Sequence, residues 1–514
     1  MVLNVFTGTA FAEIHMRQDG SLTSYYVHGA QERSFYPRSQ TNYLYENETD
    51  FKKELKGGDE LYGDIYVRST DDRLIDKQSV SLEKFYIGMK NKSRDVLLGD
   101  FYSSFSEFSL SNALKGGKLE LIGEHGFRYI VVGGIDTARW EDIYGEKRCE
   151  DSQTRRYVWG NRLETAYFDD ALRINYNYGG AWDDWAYFSQ SQSPMHVEVG
   201  SIDWLLEVSK SLTLRGEMAG SFSKTNQRSS DVEGKFDNAF KAAFDFRTEP
   251  YEMTGEYRRV GTHFNTTGGF SAQDLESLFF DGVVYIPHNV RLVHYLHMDQ
   301  DNLNKSKATT TKQINPGAKL SYKWPWDINT DLGWDMRRRF TTDTTVGDLT
   351  NVYSAGFSKD FQVCYFTAQY SRTIVENYKD AQQDRARDSV ILGLDGDYKV
   401  KNVKFFWNLG EDIQLEQYSK IGECKQDLLL THSGGLKIVF PSTLTFNSKI
   451  SFNENSYYID QTNSTVNKYH FSISRDLIKD LVLSFNYDQN DRFYKQPDSD
   501  YFEIVMTGRV NYRF

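Results

Sequence analysis

The sequence predicts an all-β fold: a single large antiparallel up-and-down barrel of about 22–26 strands, best counted as 24 or 26, spanning a membrane. Three observations predict it. Polar and apolar residues alternate with a period of two over most of the chain, the signature of strands with two unlike faces. Tight turns between alternating runs recur about every 32 to 45 residues, near Gly57-Gly58, Ser93, His125, Asp170, Lys210, Glu249, His288, Trp326, Asp360, Lys401, Pro441 and Lys479. The composition suits strands that are apolar on one side only: 34 Tyr and 34 Phe among 514 residues, 39% hydrophobic residues and 8 Pro. A soluble core of this size would be richer in Leu, Ile, Val and Ala.

Other classes are disfavoured. The longest apolar run, Tyr129 to Ile135, falls far short of the roughly 18 residues a membrane helix needs. A chain without such a helix can span lipid only as a closed barrel, which satisfies every backbone polar group internally. The net charge of −12 and the absence of a basic stripe argue against nucleic acid as a partner. Cys149, Cys364 and Cys424 are isolated and form no C-x-x-C or C-x-x-C-H, so neither a zinc site nor covalent haem is encoded and no cofactor is expected.

At the N-terminus, Ala10-Phe11-Ala12 has the small-x-small form of a signal-peptidase site, so residues 1–12 read as the remnant of a cleavable signal peptide. Residues 13–40 are then a periplasmic segment or the first strand. Residues 41–514 form the barrel. Between each pair of tight turns lies one longer polar connection, such as Thr342 to Thr350, Lys379 to Asp388 or Gln461 to Asn467. Twelve short turns on one side give 26 strands if the first and last strands both begin or end on that side. The hairpins before Gly57, around Phe101 and around His288 are the least regular. The faces are clearest later: Leu212, Leu214, Met218 and Phe222 alternate with Thr213, Arg215, Glu217 and Ser221. Charges of both signs placed mid-strand suit a wet lumen better than the interior of a sandwich.

The final run, Tyr501 to Phe514, puts Phe502, Ile504, Met506, Val510, Tyr512 and Phe514 on one face and Glu503, Thr507, Arg509, Asn511 and Arg513 on the other. A terminal Phe after such a run resembles the closing strand of Gram-negative outer-membrane β-barrels of the large porin-like type. That resemblance implies an outer-membrane location, with lipid, lipopolysaccharide and the barrel-assembly machinery as partners and Tyr512 and Phe514 as the insertion signal. Val80 to Phe101 is similar to a porin strand pair ending in an L-G-[DR]-x step.

The most distinctive segment is Leu97 to Glu120, rich in Ser and Phe, with Gly116-Gly117 and little alternation. Residues 97–120 could enter the lumen as a constriction, with Asp100, Phe101, Glu107 and Lys115 as its candidate residues. The plainer reading is a pair of irregular strands with a bulge at the glycines. Candidate lining residues are Arg215, Glu217, Asp331, Asp335, Arg337, Arg339 and Arg509. Arg337 and Arg339 share the Asp331 and Asp335 face, either as an anion-selective ring or paired with those two carboxylates. Arg338 falls on the opposite face, where it could reach lipopolysaccharide phosphates. His294 and His297 are three apart and so on opposite faces, which argues against a shared metal.

No nucleophile–base set is recognisable, so an enzyme is not expected. The expected function is a channel giving hydrophilic solutes passive passage. Two alternatives remain: a scaffold sheathing a partner protein, as in the porin component of porin–cytochrome electron conduits with a multihaem cytochrome inside, or a polysaccharide export channel. A TonB-dependent receptor would need a plug of roughly 100 to 150 residues ahead of the barrel, and strand-like patterning that begins by about Thr41 leaves no room for one.

Overall fold

The computed structural model describes residues 13–513 apart from 35, 37, 38, 56, 138, 141, 142, 144–154, 185–192, 225, 226, 228–232, 269–272, 344–346, 381, 382, 419–425, 458–462 and 495–498. The cleavage-site residues 1–12, Cys149, Cys424 and Phe514 lie outside the described residues.

Twenty-six antiparallel strands form one sheet that closes on itself. The first seven are β1 (Glu13–Gly29), β2 (Gln40–Glu54), β3 (Glu60–Thr70), β4 (Val80–Lys90), β5 (Arg94–Ser104), β6 (Ser111–Ile122) and β7 (Arg128–Asp136). Next come β8 (Arg156–Tyr167), β9 (Leu172–Asp183), β10 (His196–Ser209), β11 (Leu212–Lys224), β12 (Lys235–Thr248), β13 (Tyr251–Val260) and β14 (Leu275–Ile286). They are followed by β15 (Val290–Gln300), β16 (Thr311–Trp324), β17 (Ile328–Thr341), β18 (Gly347–Asp360), β19 (Cys364–Asn377) and β20 (Arg385–Val400). The last six are β21 (Val403–Tyr418), β22 (Gln426–Val439), β23 (Thr445–Ser456), β24 (Ser464–Ile478), β25 (Leu481–Tyr494) and β26 (Tyr501–Arg513). Each strand pairs with its sequence neighbours, and β1 pairs with β26 from Arg17↔Arg513 to Gly29↔Tyr501.

The tight turns fall where the sequence places them. All the predicted positions lie in short connections except Asp360, which is the last residue of β18. Several are closed by residues other than glycine in the left-handed region: His288 (φ 71°), Asn289 (63°), Trp326 (71°), Lys401 (54°) and Asp480 (77°). Two-residue hairpins need this backbone hand to match strand twist.

Residues 13–29 form the first strand, registered to β2 from Glu13↔Lys52 to Tyr25↔Gln40. The stretch around His288 is an ordinary hairpin, paired from Glu276↔Gln300 to Ile286↔Val290. Its alternation is blurred because Phe279, Val283, Val293 and Tyr295 point inward.

The register keeps one face continuous around the barrel. Leu22, Met218, Leu332 and Leu409 are more than half exposed on the outside. Inside, direct neighbours such as Asp19, Glu46 and Arg68 follow one another from strand to strand. An exception on the outer face is His432, directly opposite Glu411 and hydrogen-bonded to it at 2.6 Å. An even number of strands, an apolar outer band, a polar interior and short turns on one side only are the organisation of bacterial outer-membrane barrels. The protein is an outer-membrane β-barrel.

Candidate functional site

The wall is irregular at one place. β4 pairs with β5 only from Tyr86↔Gly99 to Lys90↔Asp95, although β4 continues up to Val80. On the far side, β6 pairs with β7 only from Lys115↔Ile135 to Ile122↔Arg128. Meanwhile β5 and β6 stay paired to each other as far as Ser104↔Ser111. The upper half of this hairpin, Asp100 to Leu114, has therefore left both of its neighbours.

Glycines make the crease. Gly99 has φ 117°, and a Cβ there would stand 2.1 Å from the Phe85 carbonyl oxygen. A Cβ on Gly116 would stand 2.1 Å from the Gly133 carbonyl oxygen. Only glycine allows the backbones to cross this closely.

Beyond the crease the hairpin folds onto the inner face of β7–β13. Phe105, Leu110 and Leu114 bury against Ile130, Val132, Val158 and Ala181, with Phe101 packed alongside. Phe108 buries against Val197, Val199, Ala219, Ala239, Val260 and Phe264. The Phe108 and Phe264 rings meet edge to face at 5.8 Å. Burying Phe105, Phe108, Leu110 and Leu114 is worth roughly 6–12 kcal/mol before the entropy of ordering the hairpin. The inner wall here carries apolar patches among its polar groups, and with the hairpin in the wall those patches would face water.

Polar contacts fix the tip. Ser106 donates its hydroxyl to Glu217 at 2.6 Å and lies 3.0 Å from the Ser201 hydroxyl. The Phe108 N–H donates to the same Glu217 carboxylate at 3.2 Å. Glu107 is held by Arg258 at 2.9 Å and by Lys241. Arg162 donates to the Phe105 carbonyl while pairing with Asp203 at 3.1 Å. The connection after β13 closes over the top: Thr267 donates to the Ser109 carbonyl at 3.1 Å, and Asn112 donates to the Thr267 carbonyl at 3.2 Å.

The four candidate constriction residues thus have different places. Glu107 is at the tip and Phe101 in the apolar seam. Asp100 and Lys115 pair with each other at the crease, with the Lys115 side chain only 5% exposed. Asp100 also accepts the Phe85 backbone N–H at 2.7 Å and the Trp140 indole N–H at 2.5 Å.

The lining candidates spread around the lumen. Glu217 is buried under the hairpin, and Arg215 lies 3.5 Å from Asp245. Arg509 clamps Asp19 across the closing seam, Nε to Oδ1 at 2.6 Å. Asp331 is bonded by Ser321 and lies 3.6 Å from Lys319, and Asp335 accepts the Tyr295 hydroxyl. Arg339 pairs with Asp348 of β18 at 2.9 Å, which corrects the expectation of pairing with Asp331 or Asp335. The physical reason is reach: a directly opposite residue on the next strand is nearer than a same-face residue along the chain. Arg337 shares the luminal face. Arg338 points outward, its guanidinium 5.6 Å from the Phe340 ring centre. Tyr512 points outward on β26, beside Gln18 and Leu481. His294 faces out and His297 faces in, 2.8 Å from Asp281. Among the described residues no group of three or more His, Cys, Asp and Glu gathers as a metal site.

Sequence reasoning did not find Arg162, Lys241, Arg258 or Phe264. Parity marks Lys241 and Arg258 as luminal, yet nothing local ties them to Glu107, which is 134 residues from Lys241.

No family model matches the chain, and no curated protein does. Solved structures do match at low identity. The P pilus usher PapC translocation pore is 10% identical over 98% of this chain and 99% of its own, with a TM-score of 0.35. OpdL of Pseudomonas aeruginosa is 11% identical over 71% of this chain and 99% of its own, also at 0.35. A mutant ferric enterobactin receptor, PfeA, of the same organism is 10% identical over 99% of this chain and 82% of its own, at 0.42. At these scores the likeness carries neither a substrate nor a mechanism to this chain.

Proposed function

We propose that the protein is a channel for hydrophilic solutes, narrowed from one side by the β5–β6 hairpin. The observation that carries this reading is the docking of the hairpin tip, Ser106 to Phe108, onto Glu217, Lys241 and Arg258 of the inner wall. A round barrel of this strand number is about 50 Å across, given ~4.8 Å strand spacing and ~40° tilt. The folded hairpin arm is only about 15–20 Å long, so it narrows such a lumen without filling it. Much of the opposite inner wall carries hydroxyl and amide side chains, for example Ser354, Gln369, Asn408, Ser433, Asn447 and Ser484. Such a surface lowers the cost of carrying a hydrated solute through lipid.

The test is single-channel conductance of the refolded protein in a planar bilayer. A steady open current is expected. Pairing Ser106→Cys with Ser201→Cys should lock the hairpin and quieten the current. Glu107→Lys should release it and add noisy larger openings. A barrel that is folded but silent in every variant would sink the passive-channel reading and favour the partner-sheathing one.

A further inference from the structure

The fold of the hairpin has a consequence for the wall it left. Val80 to Phe85 of β4 keep β3 on one side, paired through Ser69↔Val80. On the other side, among the described residues, no strand pairs with them. The next wall strand is β7, whose pairing with β6 ends at Ile135. Other neighbours, such as β1 and β26, stay paired along most of their length, with only short interruptions such as the one at Asn315-Pro316 between β16 and β17. Here the described contacts across the gap run through side chains.

Those contacts are specific. Trp140, just beyond β7, meets Phe85 of β4 edge to face at 6.0 Å. Its indole N–H donates to Asp100, and the Lys115 ammonium lies 5.1 Å from its ring centre. The neighbouring Arg139 donates to Asp76, in the connection before β4, at 2.7 Å. Asp100 supplies the acceptor that a strand would have given Phe85 N–H. In lipid an unsatisfied backbone N–H is costly, so this substitution is what lets the ladder stop there.

The position matters. At roughly 2.5 Å of height per tilted residue, Phe85 stands about 12–15 Å above the Asn91–Ser93 turn, near the middle of a hydrocarbon layer of about 25–30 Å. The gap opens from there toward the outer leaflet. Behind it lies the back of the folded hairpin. Tyr102 has the parity of a lipid-facing residue, like Leu98 below the crease, yet it sits on the inserted arm and is 66% exposed.

We propose that the gap between β4 and β7 is a lateral portal, closed by Trp140, connecting the outer leaflet with the lumen beside Tyr102. Its substrate is amphipathic. An apolar chain passes between Phe85 and Trp140, and a polar head is received by the hydroxyls of Tyr102 and Ser111 and the Asp100–Lys115 pair. A side-chain seal is the physical basis: opening it breaks the contacts of Trp140 and Arg139, whereas opening a ladder elsewhere would strand many backbone groups in lipid. The portal rests on the channel reading in one respect, that the hairpin lies inside the lumen.

The test uses the full chain refolded in liposomes, with the three cysteines replaced by serine and one fluorophore at Tyr102→Cys. Leu98→Cys is the lipid-facing control. Quenching by acyl-chain nitroxide lipids reports contact with hydrocarbon, and quenching by iodide reports water. At position 98 only nitroxide should quench. At position 102 iodide should quench, and nitroxide quenching should rise at least twofold in Trp140→Ala. Arg139→Ala, which removes only the tie to Asp76, should give a smaller rise and serves if the tryptophan variant does not fold. Iodide quenching at 102 with no nitroxide response in any variant overturns the portal and leaves the inserted hairpin standing. Nitroxide quenching without iodide at 102, as at 98, would mean the hairpin lies in the wall and would overturn both.

Discussion

Glu107, at the tip of the inserted hairpin, lies 2.9 Å from the Arg258 guanidinium on β13. Both side chains are about a quarter exposed, 27% and 24%, so water screens the pair and its worth is about 1 kcal/mol. Glu107→Gln should therefore raise the undocked population of the hairpin roughly fivefold, visible as more frequent current steps in a planar bilayer. Unchanged gating would show that the apolar seam and the Glu217 contacts set the hairpin without this pair.

Glu217 should matter more. Its carboxylate receives both the Ser106 hydroxyl and the Phe108 N–H beneath a buried ring. Glu217→Ala leaves the Phe108 N–H unsatisfied and turns Ser106 onto Ser109 or Ser201, at a cost of about 1–3 kcal/mol. Phe108→Ala should cost about 3–5 kcal/mol by opening a cavity against Phe264. Either variant should speed proteolysis within residues 101–114 by tenfold or more while the barrel keeps its heat-modifiable migration.

The connection that covers the hairpin is tied by charge, and the tie depends on pH. Burial would raise the pKa of Asp274, but Lys307 at 2.5 Å and the backbone N–H groups of Leu303 and Asn302 outweigh it, so the carboxyl sits below its ordinary value. The hydrogen bond to Asp274 holds the Lys307 pKa above its ordinary value. A lowered carboxyl stabilises the folded loop above the free-chain value near 4 and loses that contribution as pH falls through the lowered value. A raised ammonium contributes below about 10.4 and stops contributing as pH rises through the raised value. Protease accessibility of residues 261–268 should be flat between about pH 5 and 10 and rise below 4. Asp274→Asn should remove the acid rise.

The closing seam is braced by Arg509 on β26 and Asp19 on β1. Asp19 is nearly buried, at 6% exposure, so Arg509→Ala leaves its carboxylate with only the Asn511 amide and, at 3.8 Å, Arg17. Urea unfolding should show a loss of about 1–3 kcal/mol. The strand register should survive, because the backbone ladder from Arg17 to Gly29 is independent of the clamp.

The legibility of the site was uneven. The segment 97–120 stands out in the sequence because its alternation fails, and Gly116-Gly117 hints at a bend. The sequence singles out Glu107 and Phe101 within that segment and Glu217 by parity; in the structure Glu107 is at the hairpin tip, Phe101 in the apolar seam and Glu217 beneath the tip. Arg339 was read against the wrong partner because spacing along one strand says nothing about the residue opposite on the next.

What the sequence determined by itself is everything with a local cause. Period-two patterning set the strands and their faces, turn residues set the hairpins, and their regular interval set a count that the closed sheet of 26 strands matches. What only the tertiary structure decided is where a hairpin goes once two neighbours stop pairing with it. The residues from Asp100 to Leu114 announce an irregular stretch but not the surface it packs against. They fold inward because Ile130 and Val132 on the next strand, and Val158, Val197 and Val199 on strands farther along the chain, present apolar inner-face patches that water would otherwise wet. The gap that remains between Phe85 and Trp140 follows from that choice. Contacts between residues so distant in sequence carry no periodicity, so no local pattern announces them.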